Sequence, residues 1–384
     1  MGKSGTTLTV KGTRGDDPNL TLPTGALITQ VVVDGGGGSD TLNLSGYGSG
    51  VYIALSGGFA KSSSTVADKE FTGLWSNYTL AGATTAKGTI RNVESLIGTE
   101  YNDFLFASIL ETAKFIDGGA GNDVVNSIGG NAFLVGGTGS DWLVGYWQNV
   151  TLVGGTWDGI TATPDGETDY FYSGSQNPLI LDFMIGEDKL IVEFSTGTLT
   201  DWLTGEWVPY GTSGATLMVG GVAEVTLANI GPLLAETIEI GYAISPVDGI
   251  VQGSSGDDLL FVGGSAPSRI ILGADNGDDA TVGFDILSDV LVFEDGIVPT
   301  WSDTLVNGAP ALLGTWADGS ITLQGLSTAN VGQLIIEGLP DGTVMGTADA
   351  GPGPWSNNSD IQAYAEASSA ATDVELASLA LMAG

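Results

Sequence analysis

Three aspartates, Asp40, Asp123 and Asp141, each stand sixth in the nine-residue pattern Gly-Gly-x-Gly-x-Asp-x-apolar-x. Asp123 and Asp141 are eighteen residues apart, so one further nine-residue unit separates their two copies. Glycines permit the positive φ angles of a tight turn and let backbone carbonyls converge, while the aspartate adds a carboxylate. An oxygen-lined gap between neighbouring turns suits a hard cation with six to eight oxygen ligands, which predicts calcium.

The predicted calcium ligands are these carboxylates together with backbone groups of the same turns. We expect the three complete copies to supply Gly118, Ala120, Asn122 and Asp123, then Gly136, Thr138 and Asp141, and finally Gly35, Gly37 and Asp40. Incomplete turns add Asp103 on the same edge as Asp123, and a pair in a second region, Asp258 and Asp279. Isolated copies stay open to another interpretation, because Asp-Gly and Asn-Gly are also common in hairpin turns. Over 118–144 calcium is favoured, since a hairpin does not require a nine-residue period.

The unit between the two complete copies keeps the length but not the chemistry. It spans residues 127–135 and has Ala132 where the aspartate would stand. We therefore expect one edge of this array, carrying Asp123 and Asp141, to bind calcium and the opposite edge not to bind it.

Short strands must hold these turns in place. In such a unit six residues form a turn and three form a strand, so two units complete one coil of a parallel β-roll. Val125, Leu134 and Leu143 then occupy the inward positions of successive strands. Nearly all of the sequence through residue 340 has the same pattern, in which short predicted strands alternate with turns rich in Gly, Asn and Asp. The sequence predicts an all-β fold, a parallel β-roll or β-helix with β-strand caps.

Self-similarity predicts two tandem modules. The segment 10–17 is echoed by 251–258, and later 182–192 is echoed by 284–292, with a strand-turn-strand pattern after each copy of this second pair. We expect a first module over 1–245, with an insert at 47–97 and a β cap at about 176–245, then a smaller module with its own cap over 246–340, and a flexible tail over 341–384.

Composition excludes several classes of function. The 384 residues carry 45 acidic and 10 basic side chains, a net charge of −35, with no histidine and no cysteine. Missing cysteine excludes disulfides, zinc–thiolate sites and thiol catalysis, and missing histidine excludes the Ser-His-Asp triad. A charge of this sign argues against nucleic acid and anionic membranes as partners. Bound calcium is the expected source of neutralisation, because an uncompensated charge destabilises a compact state.

The glycine-aspartate units resemble those of the RTX (repeats-in-toxin) family of secreted calcium-binding proteins. The match is specific at 118–144 and good at 35–43; in addition, 91–105 is similar to a linker of that family, and 181–190 to the capping segment of serralysin-type proteins. The resemblance implies calcium ligation by Asp40, Asp123 and Asp141. It also implies export from a Gram-negative bacterium through type I secretion machinery, guided by a C-terminal signal in 341–384.

We expect a non-enzymatic extracellular protein that folds on calcium and assembles with copies of itself as a surface-layer, matrix or adhesive component. Alternation along the repeat strands predicts that Val124, Trp142 and Val144 face outward, which favours assembly, unless the neighbouring insert covers them. Extracellular polysaccharide is a further expected partner.

The alternative is a carbohydrate-binding or carbohydrate-active protein on the same scaffold. Tryptophan rings can stack on sugars, and two carboxylates can serve as acid and base in glycoside hydrolysis. The candidates for stacking are Trp75, Trp157, Trp207 and Trp316. Behaviour with and without calcium separates the two hypotheses, since glycan affinity would persist in monomers.

Overall fold

The computed structural model of the protein describes residues 6–22, 28–48, 50–55, 74–77, 87–107, 114–127, 131–145, 149–174, 177–193, 205–238, 240–244, 249–262, 266–274, 276–294, 296–306, 309–317, 319–340 and 346–348. The chain divides into two compact units. The first combines 1–188 with 200–237, and the second combines 189–199 with 238–384. Within the described residues no helix is long and apolar enough to cross a membrane.

The first unit is built from short strands. They are β1 (Thr6–Lys11), β2 (Leu20–Thr21), β3 (Ile28–Asp34), β4 (Thr41–Asn43), β5 (Val51–Leu55), β6 (Leu74–Asn77), β7 (Lys87–Arg91), β8 (Ser95–Ile97), β9 (Phe104–Ala107), β10 (Lys114–Ala120), β11 (Val124–Ser127), β12 (Ala132–Thr138), β13 (Trp142–Gly145), β14 (Thr151–Val153), β15 (Thr156–Trp157), β16 (Ala162–Thr163), β17 (Tyr170–Gly174), β18 (Leu179–Ile180), β20 (Glu206–Tyr210), β21 (Gly214–Val219) and β22 (Val222–Leu227). One short helix, α1 (Pro232–Ala235), begins with proline, whose fixed φ suits the first helical position.

Most of these strands form two parallel stacks between which the chain alternates. Stack I runs in the order β1, β3, β7, β6, β5, β9, β11, β13 and β17, and only β6 is antiparallel to its neighbours. Stack II runs β2, β4, β8, β10, β12, β14, β18, β22, β21 and β20, and turns antiparallel at β21. The predicted all-β, mainly parallel architecture is confirmed.

The eighteen-residue repeat appears directly in the strand register. Val125 of β11 lies beside Leu143 of β13, and Lys114 of β10 lies beside Ala132 of β12. Val125, Leu134 and Leu143 are fully buried, as predicted. Apolar side chains at every second strand position therefore supply a continuous core along the coils.

The other face of stack I is buried as well, which is the alternative to outward exposure that the sequence left open. Val124, Trp142 and Val144 expose 1%, 1% and 0% of their surface. The ring of Trp142 stacks on that of Tyr170 in the next strand, with centroids 5.2 Å apart. Both faces of these strands are covered, so this row offers no exposed surface for assembly.

The second unit repeats the style with fewer coils. Its strands are β19 (Lys189–Glu193), β23 (Ile240–Ile244), β24 (Ile250–Gln252), β25 (Leu259–Phe261), β26 (Arg269–Leu272), β27 (Gly277–Val282), β28 (Val290–Phe293), β29 (Thr300–Val306), β30 (Ala309–Trp316), β31 (Gly319–Gln324), β32 (Ile335–Glu337) and β33 (Gly346–Ala348). A 3₁₀ helix, η1, spans Thr328–Gln333. Stack III runs β19, β23, β25, β27, β31, β30, β29 and β33, and stack IV runs β24, β26, β28 and β32.

Three segments differ from, or lie beyond, the expected organisation. The described strands of the expected insert 47–97, β5 to β8, pair within stacks I and II, so this part of it belongs to the main fold. In the expected tail, β33 pairs in parallel with β29, so ordered structure continues past residue 340. Residues 349–384, with the expected secretion signal, lie outside the described residues. Antiparallel strands lie within both expected cap ranges, β20–β22 and β29–β31.

Candidate metal centre

A ladder of aspartates runs along one edge of the first unit, where the turns lead from stack II to stack I. We call this the first edge. The backbone N–H of Asp103 donates to Asp123 Oδ1 at 2.7 Å, and the N–H of Asp123 donates to Asp141 Oδ1 at 2.8 Å. The same bond links Asp141 to Asp169 at 3.0 Å and Asp169 to Asp188 at 3.1 Å. Each carboxylate therefore fixes the turn of the preceding coil.

The second edge, where turns lead from stack I to stack II, carries a shorter version of this ladder. The N–H of Asp17 donates to Asp40 Oδ1 at 2.9 Å, and the N–H of Asp40 donates to Glu94 Oε2 at 2.8 Å. Asp40 thus lies on the edge opposite to Asp123, although the two aspartates occupy the same position of the same motif.

Asparagines take over the second edge in later coils. Asn92, Asn131, Asn149 and Asn177 are the described non-glycine residues with positive φ, and all four lie in turns of this edge. Asn149 Nδ2 donates to Asn131 Oδ1 at 3.3 Å, across one coil. Asn131 and Asn149 are thus joined by uncharged amide groups, and asparagine is the residue that best tolerates such a left-handed backbone after glycine.

Three turns, which we call open turns, leave one carboxylate oxygen without a partner. They are 35–40, 118–123 and 136–141, the three complete copies of the motif. In each, the second and fourth residues are glycines with φ between +100° and +120°. The Oδ2 atoms of Asp40, Asp123 and Asp141 are buried and accept no hydrogen bond. A buried carboxylate oxygen without a partner is costly, and in native proteins it commonly marks a missing water or ion.

Three other turns, which we call closed turns, supply a partner to Oδ2 of their aspartate from within the turn. They are 12–17, 98–103 and 253–258, and each has Thr or Ser in second place. The N–H of that residue donates to Oδ2 of the turn's own aspartate, from Thr13 to Asp17 at 2.5 Å, from Thr99 to Asp103 at 2.5 Å, and from Ser254 to Asp258.

The hydroxyl in second place completes the closed turns. It accepts the N–H of the fourth residue, at 3.2 Å for Thr13, 3.0 Å for Thr99 and 3.1 Å for Ser254. Thr99 and Ser254 also donate this hydroxyl to Oδ1 of their aspartate, at 3.0 and 3.1 Å. The carboxylates of Asp103 and Asp258, both predicted ligands, are therefore already bonded within their own turns.

The predicted pair of the second unit is brought together as expected from its spacing. The N–H of Asp258 donates to Asp279 Oδ1 at 3.0 Å. Asn276 Nδ2 donates to Asp279 Oδ2 at 3.2 Å, so this oxygen too has a partner from its own turn. Nearby, Lys189 Nζ lies 2.6 Å from Asp257 Oδ2, which places a cation of the protein itself beside these acids.

The glycines that begin the turns lie against converging oxygens. A Cβ on Gly118 would stand less than 3.0 Å from both Asp123 Oδ2 and the carbonyl oxygen of Gly136. A Cβ on Gly136 would meet Asp141 Oδ2 and the Gly154 carbonyl in the same way, and one on Gly35 would meet Asp40 Oδ2 and the Asn92 carbonyl. In each open turn the unpartnered carboxylate oxygen and a carbonyl oxygen of the next coil therefore approach the same glycine.

The remaining predicted ligands lie in the same turns but serve the backbone network. Asn122 Oδ1 accepts the N–H of Ser140 at 3.2 Å, and the Thr138 carbonyl accepts the N–H of Gly121 at 2.9 Å. Ala120 donates its N–H to the Thr99 carbonyl at 3.1 Å, and Gly37 donates to the Thr13 carbonyl at 3.0 Å. These bonds hold successive turns in register.

Burial raises the pKa of every carboxyl group in the first-edge ladder. Loss of solvent is the largest cause, and it raises the pKa of Asp103 to about 6, of Asp188 to about 7 and of Asp169 to about 9. For Asp123 and Asp141 burial again comes first, followed by the neighbouring aspartates, and their pKa values lie well above the ordinary range. Without a cation, this edge therefore favours protonated carboxyl groups.

Side chains alone do not form a metal site here. Among the described residues no three Asp or Glu side chains group closely enough to hold an ion. Calcium accepts backbone carbonyl oxygens as readily as carboxylates, and the open turns supply both. The buried, unpartnered Oδ2 atoms beside carbonyl oxygens are the feature that fits calcium.

Sequence reasoning missed three members of the ladders, Glu94, Asp169 and Asp188. Asp169 follows Asp141 by 28 residues because the hairpin β15–β16 interrupts its turn. A partial signal was present, since Gly154-Gly155 precedes the hairpin and Gly166 precedes Asp169, but Gly166 stands three residues before the aspartate where the motif requires two. Glu94 gave no such signal, because its turn has no glycine.

The tryptophans considered for sugar stacking are engaged within the protein where they are described. Trp157 packs on Phe133, with ring centroids 4.8 Å apart. Trp316 packs edge-on against Phe293 at 5.7 Å and donates Nε1–H to the Ala274 carbonyl at 3.3 Å. Trp207 is half-buried in β20, and the side chain of Trp75 lies outside the described part of the chain.

Comparison with known families finds no family model that matches this chain, and comparison with curated proteins finds no match either.

Proposed function

We propose that this chain is a calcium-binding extracellular protein of the RTX type, folded by calcium and serving a structural role at the cell surface. The observation that carries the proposal is the set of three buried, unpartnered Oδ2 atoms at Asp40, Asp123 and Asp141. They occur in the three complete copies of the motif, each beside a carbonyl oxygen of the next coil. Calcium takes carboxylate and carbonyl oxygens together at 2.3–2.6 Å.

The charge of the chain supports a cation as part of the native state. After Lys114 the only basic residues are Lys189 and Arg269, so the ladder from Asp123 to Asp188 has almost no counter-charge in its own stretch of sequence. Several buried carboxylates would repel one another once ionised at neutral pH. Calcium binding replaces the protons that burial otherwise favours, because metal ligands must be deprotonated.

Coupling of calcium to folding fits a secreted protein. Extracellular calcium modules bind the ion with dissociation constants of about 0.1–1 mM. Sites of that affinity stay empty at the low calcium concentration inside a cell and fill outside it. A chain that stays unfolded until it meets calcium would be compatible with type I secretion from a Gram-negative cell. Extracellular location and this export route belong to the proposal.

Self-assembly is the proposed use of the folded protein, as a surface-layer, matrix or adhesive component. Among the described strands β1 pairs only with β3, and β2 only with β4, so this end of the coils presents backbone groups to another chain. Strand β20, at the other end of stack II, carries Glu206 and Pro209, which oppose edge-to-edge pairing. Calcium bridging between acidic copies would add to association, and extracellular polysaccharide is the proposed surface partner.

The deciding experiment follows secondary structure and particle size of the full chain during a calcium titration at neutral pH. We expect circular dichroism to show strand structure appearing with calcium, and light scattering to show association only after folding. Magnesium at equal concentration is the control, because its smaller octahedral shell suits carbonyl-rich turns poorly. A chain that is fully ordered and equally heat-resistant in excess chelator would contradict the proposal.

A further inference from the structure

We infer that the second residue of each turn decides whether that turn accepts a calcium ion: glycine leaves it open, whereas threonine or serine closes it with the turn's own N–H. This inference rests on the proposed calcium function and makes it specific. It assigns the ions to the turns of Asp40, Asp123 and Asp141, and it makes the turns of Asp17, Asp103 and Asp258 independent of metal.

The backbone at the second residue provides the mechanism. In the open turns Gly36, Gly119 and Gly137 have φ of +100°, +103° and +117°, which a residue with a Cβ rarely adopts. The N–H groups of Gly119 and Gly137 have acceptors other than the aspartate of their own turn. Gly119 donates to Asp117 Oδ1 at 3.1 Å, and Gly137 donates to the Gly154 carbonyl at 3.0 Å. The carboxylate of the same turn consequently loses its nearest donor.

In the closed turns the backbone N–H of the second residue donates to the aspartate of its own turn. Thr13, Thr99 and Ser254 do not have positive φ, and each directs its N–H to Oδ2 of the aspartate four residues on. The hydroxyl accepts the N–H of the fourth residue in all three turns, which fixes this conformation. One amide thus occupies the oxygen that an ion would otherwise take.

The fourth residue does not explain the difference by itself. Gly15 and Gly256 stand fourth in two of the closed turns, yet their φ lies outside the left-handed region that Gly38, Gly121 and Gly139 adopt in the open turns. Glycine in fourth place is therefore compatible with both states. The residue in second place is the one that differs: it is glycine where the carboxylate Oδ2 lacks a partner, and threonine or serine where Oδ2 accepts a hydrogen bond.

Two single substitutions test the inference, because each converts a closed turn into a complete motif. Ser254→Gly changes Gly-Ser-Ser-Gly-Asp-Asp to Gly-Gly-Ser-Gly-Asp-Asp, and Thr13→Gly does the same for residues 12–17. We expect each variant of the full chain to bind one calcium ion more than the wild type. The measurement is equilibrium dialysis at saturating calcium, with bound metal counted per folded chain.

The matched controls are Ser254→Ala and Thr13→Ala. Each removes the same hydroxyl but keeps a Cβ, so the backbone stays out of the left-handed region and the ion count should equal that of the wild type. Thr13 and Ser254 belong to different units, so a folding defect in one variant leaves the other as the test.

The outcomes separate this inference from the proposed function. A wild-type chain that binds no calcium would remove both. Calcium binding by the wild type, with unchanged counts for both glycine variants, would overturn only the inference. Loss of an ion from Asp258→Asn would also overturn it, because a closed turn would then have held metal.

Discussion

Asp123 donates its backbone N–H to the carboxylate of Asp141, 2.8 Å away and one coil further along the chain. The same carboxylate keeps its second oxygen buried and unpartnered. One side chain therefore performs two tasks, since Oδ1 fixes the preceding turn and Oδ2 remains available to an ion. This division explains why the aspartate recurs at one position of the motif while other turn positions vary.

Replacing Asp141 with asparagine should remove most of one calcium site. The amide keeps the size of the side chain and can still accept the N–H of Asp123, but it loses the negative charge that the ion requires. At a hundredfold excess of calcium over the dissociation constant, one site contributes about 2.7 kcal/mol. We expect calcium to stabilise Asp141→Asn less than the wild type by about that amount in urea unfolding. The control is Glu100→Gln, an exposed acid on the same edge, and an equal loss there would indicate a general charge effect.

Stability in excess chelator should fall as the pH rises from about 4 to about 9. Burial raises the pKa of Asp188 to about 7 and of Asp169 to about 9. The folded state therefore holds protons that the unfolded chain, with an ordinary aspartate pKa of 3.8, has already released. Stability linked to these protons is fully present below the unfolded pKa and is lost as the pH passes the folded values. Thermal unfolding measured across this range with chelator, and again with calcium, tests the idea. A melting temperature that rises with pH in chelator would contradict it.

Gly137→Ala should destabilise the first unit more than Gly166→Ala does. Both glycines have positive φ, at +117° and +86°, so both substitutions carry the left-handed penalty of about 1–2 kcal/mol. Only at Gly137 would the new Cβ also collide with the backbone carbonyl of Gly119, whereas nothing lies within 4 Å at Gly166. Urea unfolding of both variants in saturating calcium measures the difference. Equal losses would mean that close stacking of the turns does not restrict this position.

Leu134→Ala should cost about 2–5 kcal/mol, the usual range for emptying a buried leucine position. Leu134 is fully buried between the two stacks of the first unit, so truncation leaves a cavity. Ile160→Ala is the control, since Ile160 is 86% exposed on the β15–β16 hairpin and should change stability by less than about 0.5 kcal/mol. Calorimetry in calcium compares the two. A similar small effect for both would show that the interior of the coils is loosely packed.

Local backbone chemistry made the turns predictable from sequence. Glycines at the second and fourth positions and aspartate at the sixth are demands of one turn, and a nine-residue period implies strands that alternate between two parallel stacks. The all-β, mainly parallel fold and the stacking of Asp123 under Asp141 followed from that period. Calcium as the occupant remains a prediction, supported by the oxygens that the open turns leave free.

Contacts between distant segments decided the rest. Asp169 joins the ladder across a hairpin, and Asp40 lies on the opposite edge to Asp123, because strand pairing over many residues determines which turns meet. The burial of Trp142 depends on what covers stack I, and no local pattern encodes such a layer. Whether a carboxylate oxygen is free depends on the direction of one amide, which differs between Thr99 and Gly119. The sequence by itself determined where the turns are and which chemistry they carry. Only the tertiary structure decided which turns are adjacent and which carboxylate oxygens lack a hydrogen-bond partner. The reason is that adjacency and burial are set by the packing of the whole chain.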